Sequence, residues 1–240
     1  MSASHFIVLI DGDRAAPPSL AADLVRLGVE PICVADLIEA EKVVQSRQYE
    51  LSGVMMPAHL PGAEIQNSMK SMQRIHSTLP AIAYGAMPDR AQRLELQRAG
   101  ILLSLWDGYD EGILRFQINR LVTPDSQHSI RNSRRAPTHT PVRITLGGRE
   151  KEGTLYSISE GGCFIETSRA SMEGAQLQLV FHLSDVDYNL DGVVAFSNVP
   201  GNLMRPNLPL GMGVRFEDMP DGVLWQLADF IRDRLDSLDV

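Results

Sequence analysis

The first half of the chain alternates short apolar runs with amphipathic stretches of helical length. The apolar runs predict strands at residues 6–11, 30–35, 51–56, 80–85 and 101–106, and the stretches that follow them predict helices at 18–27, 36–47, 63–77, 88–99 and 110–121. Apolar strands that alternate with helices are typical of a parallel sheet covered on both faces. We therefore predict a doubly wound, five-stranded α/β domain in residues 1–122.

In the second half the hydrophobic period falls to two. Six segments alternate or run apolar between glycine-rich turns, namely PVRITL, TLYSIS, GCFIET, QLQLVFHL, YNLDGVVAFS and LGMGVRFED. Residues 221–240 return to helical spacing, with Leu224, Leu227, Ile231, Leu235 and Leu238 on one face. This pattern predicts an all-β domain in residues 141–240, a six-stranded barrel followed by a helix over one mouth.

Residues 123–140 join these domains and carry the one basic segment of an acidic chain. The 240 residues include 22 Lys and Arg against 30 Asp and Glu, a net charge of −8. Residues 1–122 contribute −3 and residues 141–240 contribute −7, whereas the joining segment carries +2 through Arg131, Arg134 and Arg135. Its Ser, Thr and Pro content is typical of a linker. The average charge disfavours long nucleic acids as partners, but it does not exclude a small anion at the linker.

The cysteines and the apolar runs indicate the compartment of the protein and bear on membrane insertion and metal binding. No run approaches the roughly 20 apolar residues that a membrane-spanning helix requires, and no secretory signal pattern opens the sequence. Cys33 and Cys163 have no CxxC partner, so they predict neither a disulfide framework nor a zinc site. We expect a cytoplasmic protein without membrane insertion and without a metal site, although Asp11 and Asp13 leave a weak Mg²⁺ site open.

The α/β half resembles the receiver domain of bacterial response regulators over about 115 residues. The resemblance rests on VLIDGD, VMMP, YGA and WDGYD at the ends of predicted strands. It implies a phosphoacceptor aspartate four residues before Pro57, where this chain has Gly53, and a lysine where it has Asp107. Phosphoryl transfer needs a carboxylate nucleophile and a nearby cation. We therefore expect a pseudoreceiver without phosphoacceptor or catalytic residue, which binds a protein partner or a second copy.

The barrel half resembles a PilZ domain, the bacterial receptor for cyclic di-GMP, over residues 131–237. The segment EGTLYSISEGGCFIET at 152–167 carries most of the resemblance, and LGMGVRFED at 210–218 supports it. The family binds its ligand with an RxxxR motif before the first strand and a [D/N]xSxxG motif in an early turn. In the second motif Ser159 and Gly162 match, and Ser157 replaces the acid or amide.

The first motif has two possible registers. Arg131 and Arg135 satisfy RxxxR by spacing, whereas RRAPT, matched to the family's common RRxxR, places Arg134 first and Thr138 where the second arginine belongs. Arginine suits the ligand because guanidinium groups bind phosphates bidentately, stack on purines and donate to guanine O6 and N7.

The resemblance implies a non-enzymatic effector whose ligand, and only cofactor-like group, is cyclic di-GMP. The residues implied as ligand-binding are Arg131, Arg134, Arg135, Ser157, Ser159, Gly161 and Gly162. The alternative is a nucleotide-independent scaffold for motility, pilus or envelope machinery, in which both domains have lost their ligands.

Overall fold

The computed structural model describes residues 5–12, 17, 19–122, 134–204 and 208–240. By contacts the chain divides into two compact units. One comprises Met1–His128 together with Leu238–Val240, and the other comprises Ser129–Ser237. Within the described ranges no helix is long and apolar enough to cross a bilayer.

The α/β unit contains a parallel sheet with helices on both faces, as predicted. Its described strands are β1 (His5–Ile10), β2 (Val29–Val34), β3 (Leu51–Pro57), β4 (Ala81–Gly85) and β5 (Leu103–Trp106), in the order β2-β1-β3-β4-β5. Its described helices are α1 (Leu20–Arg26), α2 (Leu37–Ser46), α3 (Gly62–Gln73), α4 (Arg90–Arg98) and α5 (Glu111–Val122). This strand order is the flavodoxin-like variant of the doubly wound fold.

Side chains that alternate along β1 separate the two cores of this unit. Val8 and Ile10 join the apolar residues of α2, α3 and α4, whereas Ile7 and Leu9 join those of α1 and α5. Successive residues of a strand point to opposite faces, so a strand buried on both faces is apolar throughout. The continuous apolar runs in the sequence follow from this arrangement.

Aspartate caps fix the starts of α4 and α5, which flank β5. The Asp89 carboxylate accepts from the backbone N–H of Gln92 at 2.8 Å, and Asp110 accepts from Ile113 at 2.8 Å. Each cap satisfies a backbone donor that the first helical turn leaves without a partner. The two helices therefore begin at defined residues beside the edge of the sheet.

The second unit is a closed antiparallel barrel with a helix after it, which confirms the predicted architecture. Its described elements are β6 (Ala136–Leu146), β7 (Arg149–Ser159), β8 (Gly162–Glu166), β9 (Gln176–Leu183), β10 (Val186–Val199), β11 (Asn202–Leu203), β12 (Gly211–Phe216) and α6 (Asp221–Asp236). Six strands pair in the order β9-β6-β7-β8-β12-β10, and β10 pairs with β9 to close the barrel. The short β11 pairs with the end of β10.

Two segments belong to other structural elements than the sequence predicts. Residues 136–140, expected in the linker, form the start of β6, where Ala136 pairs with Ile158. A bulge between Pro137 and Thr140 interrupts the ladder. The segment is polar and contains prolines, so its composition is that of a linker although it forms the start of a strand. Leu238–Val240, expected at the end of the helix, belong to the α/β unit because they pair with β5.

Candidate functional site

The carboxyl edge of the parallel sheet differs from the receiver pattern in two described positions. A Cβ on Gly12 would lie 1.9 Å from the carbonyl oxygen of Ala35, so no acidic side chain fits beside Asp11. Asp107, where the resemblance implies a lysine, is exposed after β5. The described residues contain no group of three or more His, Cys, Asp or Glu that could hold a metal. Asp13, the second acid of the open Mg²⁺ site, lies outside the described ranges.

Gly53 lies in the interior of β3 rather than at its carboxyl end, which corrects its expected placement. It is opposite Ile7 of β1, and the strand continues to Pro57. A Cβ on Gly53 would lie 2.7 Å from the side chain of Leu121 in the core. Counting back from the proline therefore places the phosphoacceptor position too deep in the sheet.

The strand register identifies the residues that do occupy this edge. Leu9 of β1 lies beside Met55 of β3, so Asp11 after β1 is level with Pro57. Met56 is fully buried, and Pro57 ends the strand. Neither side chain carries an oxygen nucleophile, and the absence of a phosphoacceptor at this edge stays a prediction.

In the barrel unit, two of the three predicted linker arginines lie next to the turn between β7 and β8. Arg134 and Arg135 directly precede Ala136, which pairs with Ile158 near the end of β7. Burial raises the pKa of the Cys163 thiol to about 12, and the positive charge of Arg135 opposes that rise. The guanidinium group of Arg135 is therefore close to the first residues of β8.

The β7–β8 turn contains the two residues that match the second motif. Ser159 pairs with Gly162, and its hydroxyl donates to the Gly162 carbonyl at 3.0 Å. A Cβ on Gly162 would lie 2.2 Å from the carbonyl oxygen of Val214 in β12. A Cβ on Gly161, in contrast, would meet no atom within 4 Å, and the Gly161 carbonyl accepts from the N–H of Phe216 at 3.1 Å. Of these two glycines, only Gly162 is therefore required by packing.

Ser157 lies in the middle of the three strands that meet at this turn. It is opposite Pro137 on β6 and Phe164 on β8, and it is only 3% exposed. A serine hydroxyl can donate or accept, but it has a shorter reach than the acid or amide of the family motif. At this position a ligand therefore finds a hydrogen-bonding group of shorter reach than the acid or amide of the family pattern.

Thr138 belongs to only one of the two registers of the arginine motif. Its side chain is buried, and its hydroxyl donates to the backbone carbonyl of Leu155. In the register that starts at Arg134, this threonine would stand where the second arginine contacts the ligand. Its hydroxyl is engaged inside the barrel wall, so in that register Thr138 presents no free hydroxyl to a ligand. Arg131 itself lies outside the described residues.

We expect Thr138→Val to destabilise the barrel without affecting ligand binding. Valine preserves the shape but leaves the Leu155 carbonyl without its donor, a cost of about 1 kcal/mol in the free energy of unfolding. Urea denaturation and calorimetric titration of cyclic di-GMP measure the two effects. A tenfold loss of affinity at unchanged stability would instead place Thr138 in the ligand site.

Two more arginines lie near the turn, and sequence reasoning missed both. Arg215 of β12 is opposite Gly162, exposes its side chain, and lies 3.9 Å from the Glu217 carboxylate. Arg234 of α6 donates from Nε to the carbonyl oxygen of Pro137 at 3.4 Å. Arg215 could have been noticed as the one polar residue in an apolar strand, whereas Arg234 is placed by the packing of α6 on β6, which the sequence does not reveal.

A comparison with family models identifies the barrel unit. Residues 129–233 match the model of the PilZ domain, so this part of the chain is a PilZ domain. The resemblance seen in the sequence is confirmed over nearly the same residues. No curated protein sequence matches the chain.

Solved structures that are similar to this chain include the following three. The inhibitor of motility of Bacillus subtilis is 18% identical over 45% of this chain and 52% of its own, with a TM-score of 0.38. The PlzA protein of Borreliella burgdorferi, in complex with c-di-GMP, is 12% identical over 50% of this chain and 46% of its own, with a TM-score of 0.33. A response regulator receiver protein from Burkholderia phymatum is 17% identical over 52% of this chain and 99% of its own, with a TM-score of 0.42. The chain thus spans about half the length of the first two proteins.

Proposed function

We propose that this protein is a receptor for cyclic di-GMP that binds the nucleotide at the β7–β8 turn of its PilZ domain. The observation that carries the proposal is the position of Arg134 and Arg135, which directly precede β6 beside the turn formed by Ser159 and Gly162. The arginine motif and the turn motif are 20 or more residues apart in the sequence, and strand pairing brings them together.

The local charge supports an anionic ligand in spite of the acidic average. Arg134, Arg135, Arg215 and Arg234 all lie at or near the three strands that form the turn region, whereas the whole chain carries −8. Cyclic di-GMP has two phosphodiester charges and two purines, and a guanidinium group can pair with the first and stack on the second. A group of arginines is therefore matched to this ligand in both charge and shape.

For the α/β unit we propose a non-catalytic role in protein interaction. Met56 and Pro57 at the edge of β3 supply no nucleophile, and the close approach of Ala35 to Gly12 excludes a second acid there. The two cysteines, Cys33 and Cys163, are free, which supports the cytoplasm as the compartment we propose.

We expect acetyl phosphate with Mg²⁺ to leave the intact mass and the melting temperature of the protein unchanged. Without a carboxylate at the edge of β3, no acyl phosphate can form there. Intact mass spectrometry measures the first quantity, and a receiver domain with its phosphoacceptor aspartate serves as the positive control. A Mg²⁺-dependent covalent adduct would contradict the proposed role.

One observation favours the alternative of a nucleotide-independent scaffold. Ser157 replaces the acid or amide of the family motif and is almost fully buried, so one of the usual ligand contacts is weakened. Under that alternative the barrel serves as a rigid binding module, and the arginines of the linker are a surface charge cluster.

Calorimetric titration of the full chain with cyclic di-GMP separates these two functions. The receptor predicts saturable binding in the micromolar range or tighter, with no comparable heat for cyclic GMP, which has one phosphodiester instead of two. Absence of binding at millimolar cyclic di-GMP, with the barrel folded by circular dichroism, would leave the scaffold.

A further inference from the structure

The last three residues of the sequence extend the sheet of the α/β unit at its open side. β5 is the terminal strand in the sheet order, and Leu103 forms an antiparallel bridge with Asp239. The N–H of Val240 donates to the carbonyl of Leu102 at 3.1 Å. An extended segment that pairs with a sheet edge in this way uses the geometry of peptide recognition by strand addition.

Two buried side chains provide a receptor for the first peptide carbonyl of this segment. The carbonyl oxygen of Leu238 accepts from Ser104 Oγ at 2.7 Å and from Gln117 Nε2 at 2.7 Å, in addition to the Ser104 N–H at 3.2 Å. Ser104 and Gln117 are both fully buried. Buried donors that lose their acceptor are costly, so these side chains are complementary to a bound peptide rather than to an empty edge.

Among the buried residues of α5, Gln117 is the one polar side chain. The face of α5 that packs on the sheet consists of Leu114, Ile118 and Leu121. Gln117 lies on the same face, three residues after Leu114, and its amide nitrogen donates both to the Ser104 carbonyl at 2.7 Å and to the tail. A fully buried amide on an otherwise apolar helix face is therefore held by backbone carbonyls of β5 and of the tail.

The neighbouring residues define the side chains that this surface accepts. The Asp239 carboxylate accepts from Arg120 at 2.6 Å, a pair that is about one-quarter exposed. Leu238 and Val240 are 7% and 8% exposed, and Val240 joins the core on the side of α2, α3 and α4. Gln97 of α4 donates to the Val240 carbonyl. The recognised pattern is apolar, acidic, apolar.

We propose that the edge of β5, between α4 and α5, is a docking site for an extended apolar–acidic–apolar peptide. Leu238–Val240 fill this site within the same chain, and a protein partner with a segment of the same chemistry binds there when the tail leaves. The proposal gives a surface and a partner chemistry to the interaction role proposed for the α/β unit. It does not depend on binding of cyclic di-GMP.

Peptide binding to a chain that ends at Ser237 tests this proposal. A synthetic peptide of residues 231–240 is titrated to millimolar concentration and followed by two-dimensional NMR. We expect saturable shifts at Leu102–Ser104 and in the Gln117 side-chain amide, with affinity at least tenfold higher for the shortened chain than for the full chain. Gln117→Leu in the shortened chain should abolish the shifts at Leu102–Ser104.

A charge exchange supplies the matched control. Arg120→Glu in the shortened chain should weaken the native peptide at least fivefold and restore binding of a peptide that carries Asp239→Lys. If the shortened chain does not fold, the full chain with Asp239→Lys replaces it, since that change weakens the tail without removing its backbone. The proposal would be overturned if the native peptide bound the full chain as tightly as it binds the shortened chain or the Asp239→Lys chain, or if it bound none of them. Cyclic di-GMP is titrated into the same samples. If they still bind the nucleotide, a failure of peptide docking is distinguished from a failure of the receptor function.

Discussion

Arg135→Ala is expected to weaken binding of cyclic di-GMP about thirtyfold. Arg135 belongs to both registers of the arginine motif, and its charge acts on Cys163 at the start of β8. Loss of a hydrogen bond to a charged group costs about 2 kcal/mol, which corresponds to roughly this factor in Kd. Calorimetric titration of the full chain measures the change. The melting temperature without ligand should stay nearly constant.

Arg149→Ala is the matched control for this experiment. Arg149 is an exposed arginine of the same barrel, but it pairs with Leu146 at the opposite end of the β6–β7 hairpin from Ala136. Its removal changes the net charge by the same amount, so a ligand held at the turn should lose less than twofold in affinity. Equal losses in the two variants would mean that the ligand responds to the overall charge and would refute the assigned site.

Gly162→Ala is expected to destabilise the barrel by about 3 kcal/mol, since added atoms in a packed region force the backbone to move. The new methyl carbon would lie 2.2 Å from the Val214 carbonyl oxygen and 3.2 Å from the Arg215 Cα. Both are backbone atoms of a paired strand, which cannot rotate away as a side chain can. Urea denaturation followed by circular dichroism measures the loss, and ligand binding should decline with the folded population.

Gly161→Ala changes the adjacent residue and should leave stability within about 0.5 kcal/mol, as for surface substitutions in general. Nothing lies within 4 Å of a Cβ on Gly161. If this variant were as unstable as Gly162→Ala, the close approach of β12 to the turn would not be the cause. In a folded Gly161→Ala protein, any loss of affinity reports that the nucleotide lies against the turn.

The barrel was largely predictable because its local signals agree. Strands with a period of two end at glycines, and the turn between β6 and β7 uses Gly147 and Gly148 with φ of +55° and +76°, values that favour glycine. The first residues of β6 were the exception. Thr138 lies in the bulge of β6 and is buried, its hydroxyl bonds to the Leu155 carbonyl of β7, and such long-range contacts are not visible in a polar segment between two prolines.

In the α/β unit the elements were predictable and the positions at the sheet edge were not. Gly53 was placed by distance from Pro57, but depth in a sheet depends on register with β1, which no single strand contains. Gln117 has the polarity of a surface residue although its spacing places it on the apolar face of α5, and helical periodicity assigns Leu238 to the face of α6. The contacts that bury both residues come from segments more than 100 residues apart, as the Gln117 bond to Leu238 shows with a separation of 121.

The docked tripeptide also affects the order in which the protein can fold during synthesis. The barrel unit ends at Ser237, whereas the α/β unit includes Leu238–Val240. All residues of the barrel therefore leave the ribosome before the edge of β5 can be completed, although the α/β unit begins the chain. A fragment that stops near residue 122 would retain Ser104 and Gln117 without the carbonyl they bind. Studies of the isolated α/β unit should accordingly restore the tripeptide, in cis or as a peptide.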